Sequence, residues 1–347
     1  MSLQNLNGLM LPAIEMELKR ILSYLEGPRT QVFHDMLAYH MGWKGEGSGK
    51  EATGKRIRPM LVLLTYAASY TPTTKTEADA EVWERALPVA ACFELIHNFS
   101  LVHDDIQDSS DLRRGRLTVW KKWGMPQAIN VGDAMFILAH IALLETKDRF
   151  PPEKVLHAGS IINEACLALS SGQFMDISYE KRNNLVIEDY WSMIGGKTAA
   201  LLSACTKVGA VLGGADEPSQ ESYRSFGHYL GLAFQVQDDY LGIWGDSAQT
   251  GKSTESDLVA GKKSLPILYG LAKNGAFARR WAEGPIQANE VGFLSEQLAA
   301  EGVKLFTQET SDQLTDLAIQ SLRSADPQGE AGEALFELAQ ILLSRKA

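Results

Sequence analysis

Residues 88–108 read PVAACFELIHNFSLVHDDIQD. Proline is tolerated in the first turn of a helix and breaks later ones, so Pro88 predicts a helix start. From there to about Asp108 the residues read as a helix buried nearly all round: Phe93, Leu95, Ile96, Phe99, Leu101 and Val102 leave no solvent face. Into that apolar run come Asp104, Asp105 and Asp108. A carboxylate is costly to bury unless something cationic or hydrogen-bonding meets it. At about 3.6 residues per turn, His97, Leu101, Asp104 and Asp108 fall on one stripe and Asp105 to one side. Two carboxylates one turn apart repel unless they share a cation. Oxygen-only donors with open positions suit Mg²⁺, which keeps waters and takes phosphate oxygens as its other ligands. The bland alternative is a solvated acidic helix end, and the apolar residues before it argue against that.

Working outward, a second acidic pair, Asp238-Asp239, repeats the pattern. Gly231, Gln235, Asp238 or Asp239, and Gly242 share one helical face. Gly227 and Gly231, one turn apart, would let another element approach closely. Helical period continues over 9–25, 56–70, 126–147 and 153–179, over a short 189–194 ending at Gly195-Gly196, and over 197–212. Ser219 is placed to cap a helix reaching about Ile243, with Gly245 ending it. Alternating, strand-like runs are scarce. The loops are 43–53, a charged 111–116 and a long 245–263. The pattern predicts one all-α domain over 1–347, with no internal repeat and no linker.

Composition sets the outer bounds. A hydrophobic fraction of 45% can fill a large core, and a net charge of −10 argues against nucleic-acid binding. Cys92, Cys166 and Cys205 are far apart in apolar stretches, which reads as buried thiols in a reducing cytosol. No leader pattern opens the chain, and no uninterrupted apolar run reaches the roughly 18 residues a bilayer needs. A soluble cytoplasmic protein without a transmembrane segment is expected.

Cations flank both acidic clusters. Lys55, Arg56 and Arg58 open one helix, Arg113-Arg114 come after the first cluster, and Lys252, Lys262 and Lys263 after the second. Each alone is an ordinary surface charge. Together they favour a shared pyrophosphate-sized ligand, which guanidinium and ammonium groups bind.

These residues, in this order, resemble the trans-isoprenyl diphosphate synthases, the polyprenyl synthetase family. Gly54-Lys55-Arg56-Ile57-Arg58-Pro59 is similar to its basic motif, and 94–108 to its first aspartate-rich motif with the Arg113-Arg114-Gly115 tail. Gly172-Gln173 with Asp176, Lys197-Thr198, 234–239, Thr250-Gly251-Lys252 and 257–266 complete the set. Two positions depart from the pattern. Gly242 stands where the second motif usually has a third acid, and Leu117 and Trp120 stand where proline and histidine are usual.

The resemblance implies the isoprenoid synthase fold, a single large bundle of mostly antiparallel helices around a central cavity. It implies Mg²⁺-dependent, head-to-tail condensation of isopentenyl diphosphate with an allylic diphosphate, by a homodimer. Several Mg²⁺ ions, bridged by diphosphate, would be held by Asp104, Asp108 and Asp238, with Asp105 and Asp239 behind them. Arg113, Lys197 and Lys252 would hold the allylic diphosphate, with Lys262 nearby. Lys55, Arg58, His97 and Arg114 would hold isopentenyl diphosphate. Thr198 and Gln235 would face the allylic cation, and Phe234 the prenyl group. Phe99 and Ser100 would stop the growing chain, favouring C20, then C15. On an ideal helix Ser100 lies within about 40° of the Asp104 direction and Phe99 about 140° away. Two other readings are a terpene cyclase and a non-catalytic subunit of a heteromeric synthase. The intact first motif opposes the subunit, and Asp238-Asp239 with the Lys55/Arg58 site opposes the cyclase.

Overall fold

The structure, a computed structural model, describes residues 2–70, 81–245 and 257–343. Lys252, its neighbours Thr250 and Gly251, and Asp246 lie outside the described residues. Among the described residues the regular elements are all helical apart from one hairpin of two-residue strands, which bears out the all-α expectation. They fall into two compact units.

One unit is built from Met1–Ile161, Cys205–Glu217 and Pro327–Leu335. Its helices are α1 (Leu3–Leu22), α2 (Gln31–His40), α3 (Lys50–Thr53), α4 (Ile57–Ser69) and α5 (Leu87–Gln107). The hairpin β1 (Leu112–Arg113) and β2 (Arg116–Leu117) comes next, then α6 (Val119–Trp123), α7 (Met125–Glu145) and the start of α8 (Pro152–Tyr179). Helix α5 is the centre of this unit and packs on α7, α4 and α1. Pro88 sits in its first turn, as expected, and Val89, Phe93, Leu95, Ile96 and Val102 are buried. Gly132 on α7 makes the closest approach possible, because a Cβ there would run into the His103 ring of α5.

The second unit is built from Ile162–Ala204, Pro218–Asp326 and Phe336–Ala347. It holds the rest of α8, then α9 (Ile187–Ile194) and a π-helical turn, Gly195–Ala199, that leads straight into α10 (Ala200–Gly213), which belongs to the first unit from Cys205 on. Next come α11 (Glu217–Trp244), α12 (Asp257–Ala260), α13 (Leu265–Ala272), α14 (Ala276–Ala282), α15 (Val291–Ala300), α16 (Val303–Ser324) and α17 (Gly329–Leu343), the last of which belongs to the first unit as far as Leu335. Ile243, Leu258, Ile267, Phe277, Leu294 and Leu298 share its apolar core.

Four local expectations change. Gly195-Gly196 does not end a helix: the chain stays helical through it with one π turn. Gly196 serves packing instead, with Gly172 of α8 opposite it. A Cβ on Gly196 would lie 2.5 Å from the Ala168 carbonyl, and one on Gly172 would lie 2.7 Å from the Gly196 carbonyl carbon. Ser219 lies inside the first turn of α11, which starts at Glu217, so it is not the cap. The 111–116 loop is largely the hairpin, turned by Arg114 and Gly115, both at positive φ. Two consecutive left-handed residues match the twist of a two-residue hairpin. Finally, Val82–Gln107 and Met125–Asp148 are long and apolar enough to cross a membrane by length and composition. The sequence reading sought an uninterrupted run, whereas these segments tolerate a few polar residues. The first of them is 67% buried in the fold.

Backbone contact between α8 and the π turn makes a sharp prediction. Gly172→Ala should destabilise the protein by about 1–3 kcal/mol or more, since only main-chain movement can relieve the clash. Urea unfolding monitored by circular dichroism measures it, and an unchanged midpoint would contradict the packing.

Candidate active site

In the first unit, α5 delivers the first acidic cluster at its C-terminal end. Asp105 is buried, at 2% exposure, Asp104 is half-buried, and Asp108 is exposed as the C-cap residue. Asp105 Oδ1 accepts from Arg113 Nε and Nη2, both at 2.8 Å. Asp105 Oδ2 is buried with no protein hydrogen-bond partner. Burial raises the Asp105 carboxyl above its usual range, and Arg113 opposes the rise. The hairpin thus aims Arg113 back at the helix that precedes it.

The hairpin is itself tied down. Arg116 Nη1 donates to the Tyr39 carbonyl (2.7 Å), and Trp120 Nε1 donates to the Ser110 carbonyl (2.8 Å). Tyr39 Oη donates to the Leu117 carbonyl (2.9 Å). Of the two residues that depart from the usual proline and histidine, Trp120 therefore acts through its indole, whereas Leu117 offers only a main-chain carbonyl that proline would also have. Arg114 Nη1 donates to the Ala52 carbonyl at 2.8 Å. Its guanidinium occupies the space a side chain at residue 54 would take, and Gly54 is also at φ +79. Two independent requirements therefore place glycine ahead of the basic motif.

The three cations of that motif part company. Arg56 turns inward, 4% exposed, and donates to Glu15 (2.6 Å) and Glu94 (2.7 Å). Lys55 is exposed and Arg58 half-buried. Arg58 Nε is a buried donor without a protein partner. His97 lies close enough to Arg58, Arg114 and Arg113 for their charges to reinforce burial, and its pKa falls well below the ordinary histidine value. A neutral imidazole among guanidinium groups is thus the resting state at neutral pH. His40, at the end of α2, joins them: burial and then Arg113 and Arg114 push it down to about 3. His40, Ala52, Asp105, Arg113 and Arg114 line a common cleft. Sequence reasoning missed His40, because a lone histidine ending an amphipathic helix carries no signal of its own.

On the same α5, Phe99 lies in the seam with α7, edge-on to Phe136 at 4.9 Å and to His103 at 5.7 Å. Ser100 is half-buried and donates to the His97 carbonyl (2.9 Å).

In the second unit, Asp239 is a buried hub, 6% exposed. Its Oδ2 accepts from Tyr190 Oη (2.7 Å) and the Leu265 amide (3.1 Å), and its Oδ1 from Gln235 Nε2 (2.9 Å). Gln235 Oε1 in turn accepts from Thr198 Oγ1 at 2.9 Å. The chain Tyr190–Asp239–Gln235–Thr198 fixes which way the amide points. Burial raises Asp239 to about 7 despite these donors. Asp238 and Phe234 are half-buried on α11. Lys197, on the π turn, pairs with Asp176, and Lys262 is 69% exposed with Asp257 4.0 Å away. Gly231 admits the π turn against α11, since a Cβ there would lie 2.6 Å from Ala199 Cα. Tyr190 was not legible beforehand: it meets Asp239 across 49 residues of sequence.

The donor set is hard oxygen on half-buried or exposed carboxylates. Among the described residues no three His, Cys, Asp or Glu side chains form a ready cage. Such a set fits Mg²⁺, which leaves several positions to water and to a ligand's phosphates. The unpartnered Asp105 oxygen beside Arg113 and the unpartnered Arg58 donor fit a charged ligand in the first unit.

The polyprenyl synthetase family model matches residues 49–289. The chain belongs to the polyprenyl synthetase family. It is 40% identical over 253 residues to a (2E,6E)-farnesyl diphosphate synthase of Mycobacterium tuberculosis, covering 71% of this chain and 66% of that relative. It is 34% identical over 318 residues to a geranylgeranyl diphosphate synthase of the same organism, covering 90% and 86%. A polyprenyl synthetase from Streptomyces coelicolor has the same fold, with a TM-score of 0.82 at 34% identity over 98% of each chain. The family expected from the ordered motifs is therefore the family found, and the named relatives are of the expected prenyltransferase class.

The hydrogen-bond chain through Asp239 can be tested directly. Tyr190→Phe removes one donor from a buried carboxylate and should cost about 2 kcal/mol of stability. Thermal unfolding measures it, and an unshifted midpoint would show that the contact carries no weight.

Proposed function

We propose that this chain is a Mg²⁺-dependent prenyltransferase that condenses isopentenyl diphosphate with an allylic diphosphate, head to tail, to a short all-trans prenyl diphosphate, with C20 favoured over C15. The observation that carries the reading is a cationic cluster on the helix that bears the first acidic motif: Arg58, Arg113 and Arg114 lie close to neutral His97 of α5, Arg58 Nε keeps no protein partner, and the last turn of the same helix carries the accessible Asp104 and Asp108. Family membership supports it.

Asp104, Asp108 and Asp238 would hold Mg²⁺. Bound there, the metal would neutralise the charge that develops on the departing diphosphate. Asp105 and Asp239 have other work: each is buried and anchors a neighbour, Arg113 in one case and Gln235 in the other. Arg113, Lys197 and Lys252 would bind the allylic diphosphate, with Lys262 nearby. Lys55, Arg58, His97 and Arg114 would bind isopentenyl diphosphate by charge and hydrogen bonds alone. Burial keeps His97 uncharged, so it would offer one N–H donor and add no positive charge. Gln235, held by Asp239, and Thr198 would present oxygen lone pairs to the allylic cation, and Phe234 an apolar wall.

A homodimer is part of the proposal. Met125, Ile129, Ile137 and Leu144 recur on one face of α7, each more than 40% exposed. A second copy of the chain is the partner that would cover it.

The purified chain with Mg²⁺, isopentenyl diphosphate and a C15 allylic starter should yield geranylgeranyl diphosphate. Light scattering of the same sample should give twice the chain mass. A cyclic hydrocarbon from the allylic diphosphate alone would favour the cyclase. No product would favour the non-catalytic subunit.

For product length, Phe99 is the residue to change. Its ring rests on Phe136, and removing it would open the seam between α5 and α7. Phe99→Ala should lengthen the product beyond C20. An unchanged product spectrum by chromatography would remove Phe99 from the role.

A further inference from the structure

Arg116 opens β2, opposite Arg113 in the hairpin register. It is buried, at 9% exposure, and its guanidinium donates to main-chain carbonyls. Nη1 reaches Tyr39 (2.7 Å), Nη2 reaches Lys44 (2.5 Å) and Nε reaches Glu46 (3.0 Å). The group also lies over the Tyr39 ring, 4.0 Å from its centroid. One side chain thus gathers the end of α2 and the segment after it. That segment runs on into α3, where the Ala52 amide donates to the Gly49 carbonyl at 3.0 Å. At the end of α3, Arg114 Nη1 holds the Ala52 carbonyl at 2.8 Å. The two arginines on either side of Gly115 therefore grip one stretch of chain at both ends, and Lys55 and Arg58 come directly after it.

We propose that Arg116 is a positioning residue for isopentenyl diphosphate: by anchoring residues 44–46 to the hairpin, it sets where Lys55 and Arg58 stand relative to Arg114, and so tunes affinity for the acceptor without touching it. The inference rests on the proposed function and deepens it.

Three observations converge on this assignment. The segment is shaped around the guanidinium: Gly45 is at φ +85 and Gly47 at φ +68, and a Cβ on either would come within 3.3 Å of the Arg116 side chain. The load falls on Arg116, which makes two hydrogen bonds to residues 44–46, whereas Arg114 makes one, to Ala52. Arg116 also borders the cleft that His40, Ala52, Asp105, Arg113 and Arg114 line, so a shift of the segment reshapes that cleft. The effect should be one-sided. Arg113, proposed for the allylic diphosphate, is fixed separately by Asp105 and does not hang on the segment. Lysine would not serve at 116: it keeps the charge but has neither the planar fork for several carbonyls nor a flat face for Tyr39.

The test uses the full chain with Mg²⁺ and both diphosphates. Arg116→Lys should raise KM for isopentenyl diphosphate about 10-fold, the worth of one misplaced charged hydrogen bond. The kcat and the KM for the allylic diphosphate should stay nearly unchanged, the signature of lost ground-state binding of one substrate. Calorimetric titration with isopentenyl diphosphate alone should show the same loss without turnover. Circular dichroism checks folding, and Arg116→Gln, which keeps an amide donor for the carbonyls, serves if the lysine variant unfolds. Unchanged affinity for isopentenyl diphosphate in the folded variant would overturn the inference. So would an equal loss for both diphosphates, which marks a purely structural residue. If the unaltered chain turns over and Arg116→Lys matches it in both affinities, this inference alone falls. If the unaltered chain neither binds isopentenyl diphosphate nor forms product, the proposed function falls and takes this with it.

Discussion

A buried carboxylate must be met by donors, and each acidic motif of this protein buries one. Asp105 is met by the Arg113 guanidinium, and Asp239 by a tyrosine hydroxyl, a side-chain amide and a backbone amide. Leaving such a group unmatched costs several kcal/mol, which is comparable to the whole stability of a domain. That constraint shapes the local structure. A hairpin returns Arg113 to α5, and the start of α13 presents the Leu265 amide to α11. The buried second aspartate of each motif fixes the frame in which Asp104, Asp108 and Asp238 remain accessible.

Close main-chain contact sets the second frame. Gly172, Gly196 and Gly231 bring α8 and α11 against the π turn that carries Lys197 and Thr198. A π turn adds a residue to a helical repeat and re-aims the side chains beyond it. The result holds Thr198 at hydrogen-bond distance from Gln235, whose other end is tied to Asp239. Packing and polar satisfaction therefore act on the same few side chains. Arg56 shows the same economy in the other unit: one cation of a basic motif pairs with internal carboxylates, while Arg58 stays half-buried and Lys55 exposed.

Much of this was legible beforehand. Pro88, the helical period and the spacing of Asp104 and Asp108 depend on neighbours within a few residues, and such patterns survive in sequence. The order of the basic and acidic motifs identified the family. Roles that depend on distant partners were not legible. Tyr190 and His40 are ordinary residues in their own helices and acquire meaning from Asp239 and from Arg113 and Arg114. Gly195-Gly196 misled for the same reason. Glycine pairs end helices when nothing packs on them, whereas here the neighbouring α8 backbone occupies the space a Gly196 side chain would need and the helix runs on as a π turn.

By itself the sequence determined that the chain is helical and to which family it belongs, and it singled out two acidic clusters and three groups of cations as the candidates for its chemistry. Local periodicity and motif order contain that information. Only the tertiary structure decided which aspartates are anchors and which stay accessible, and which arginine turns inward. Those outcomes depend on burial and on through-space neighbours far apart in the chain, and neither is written in the spacing of residues along it.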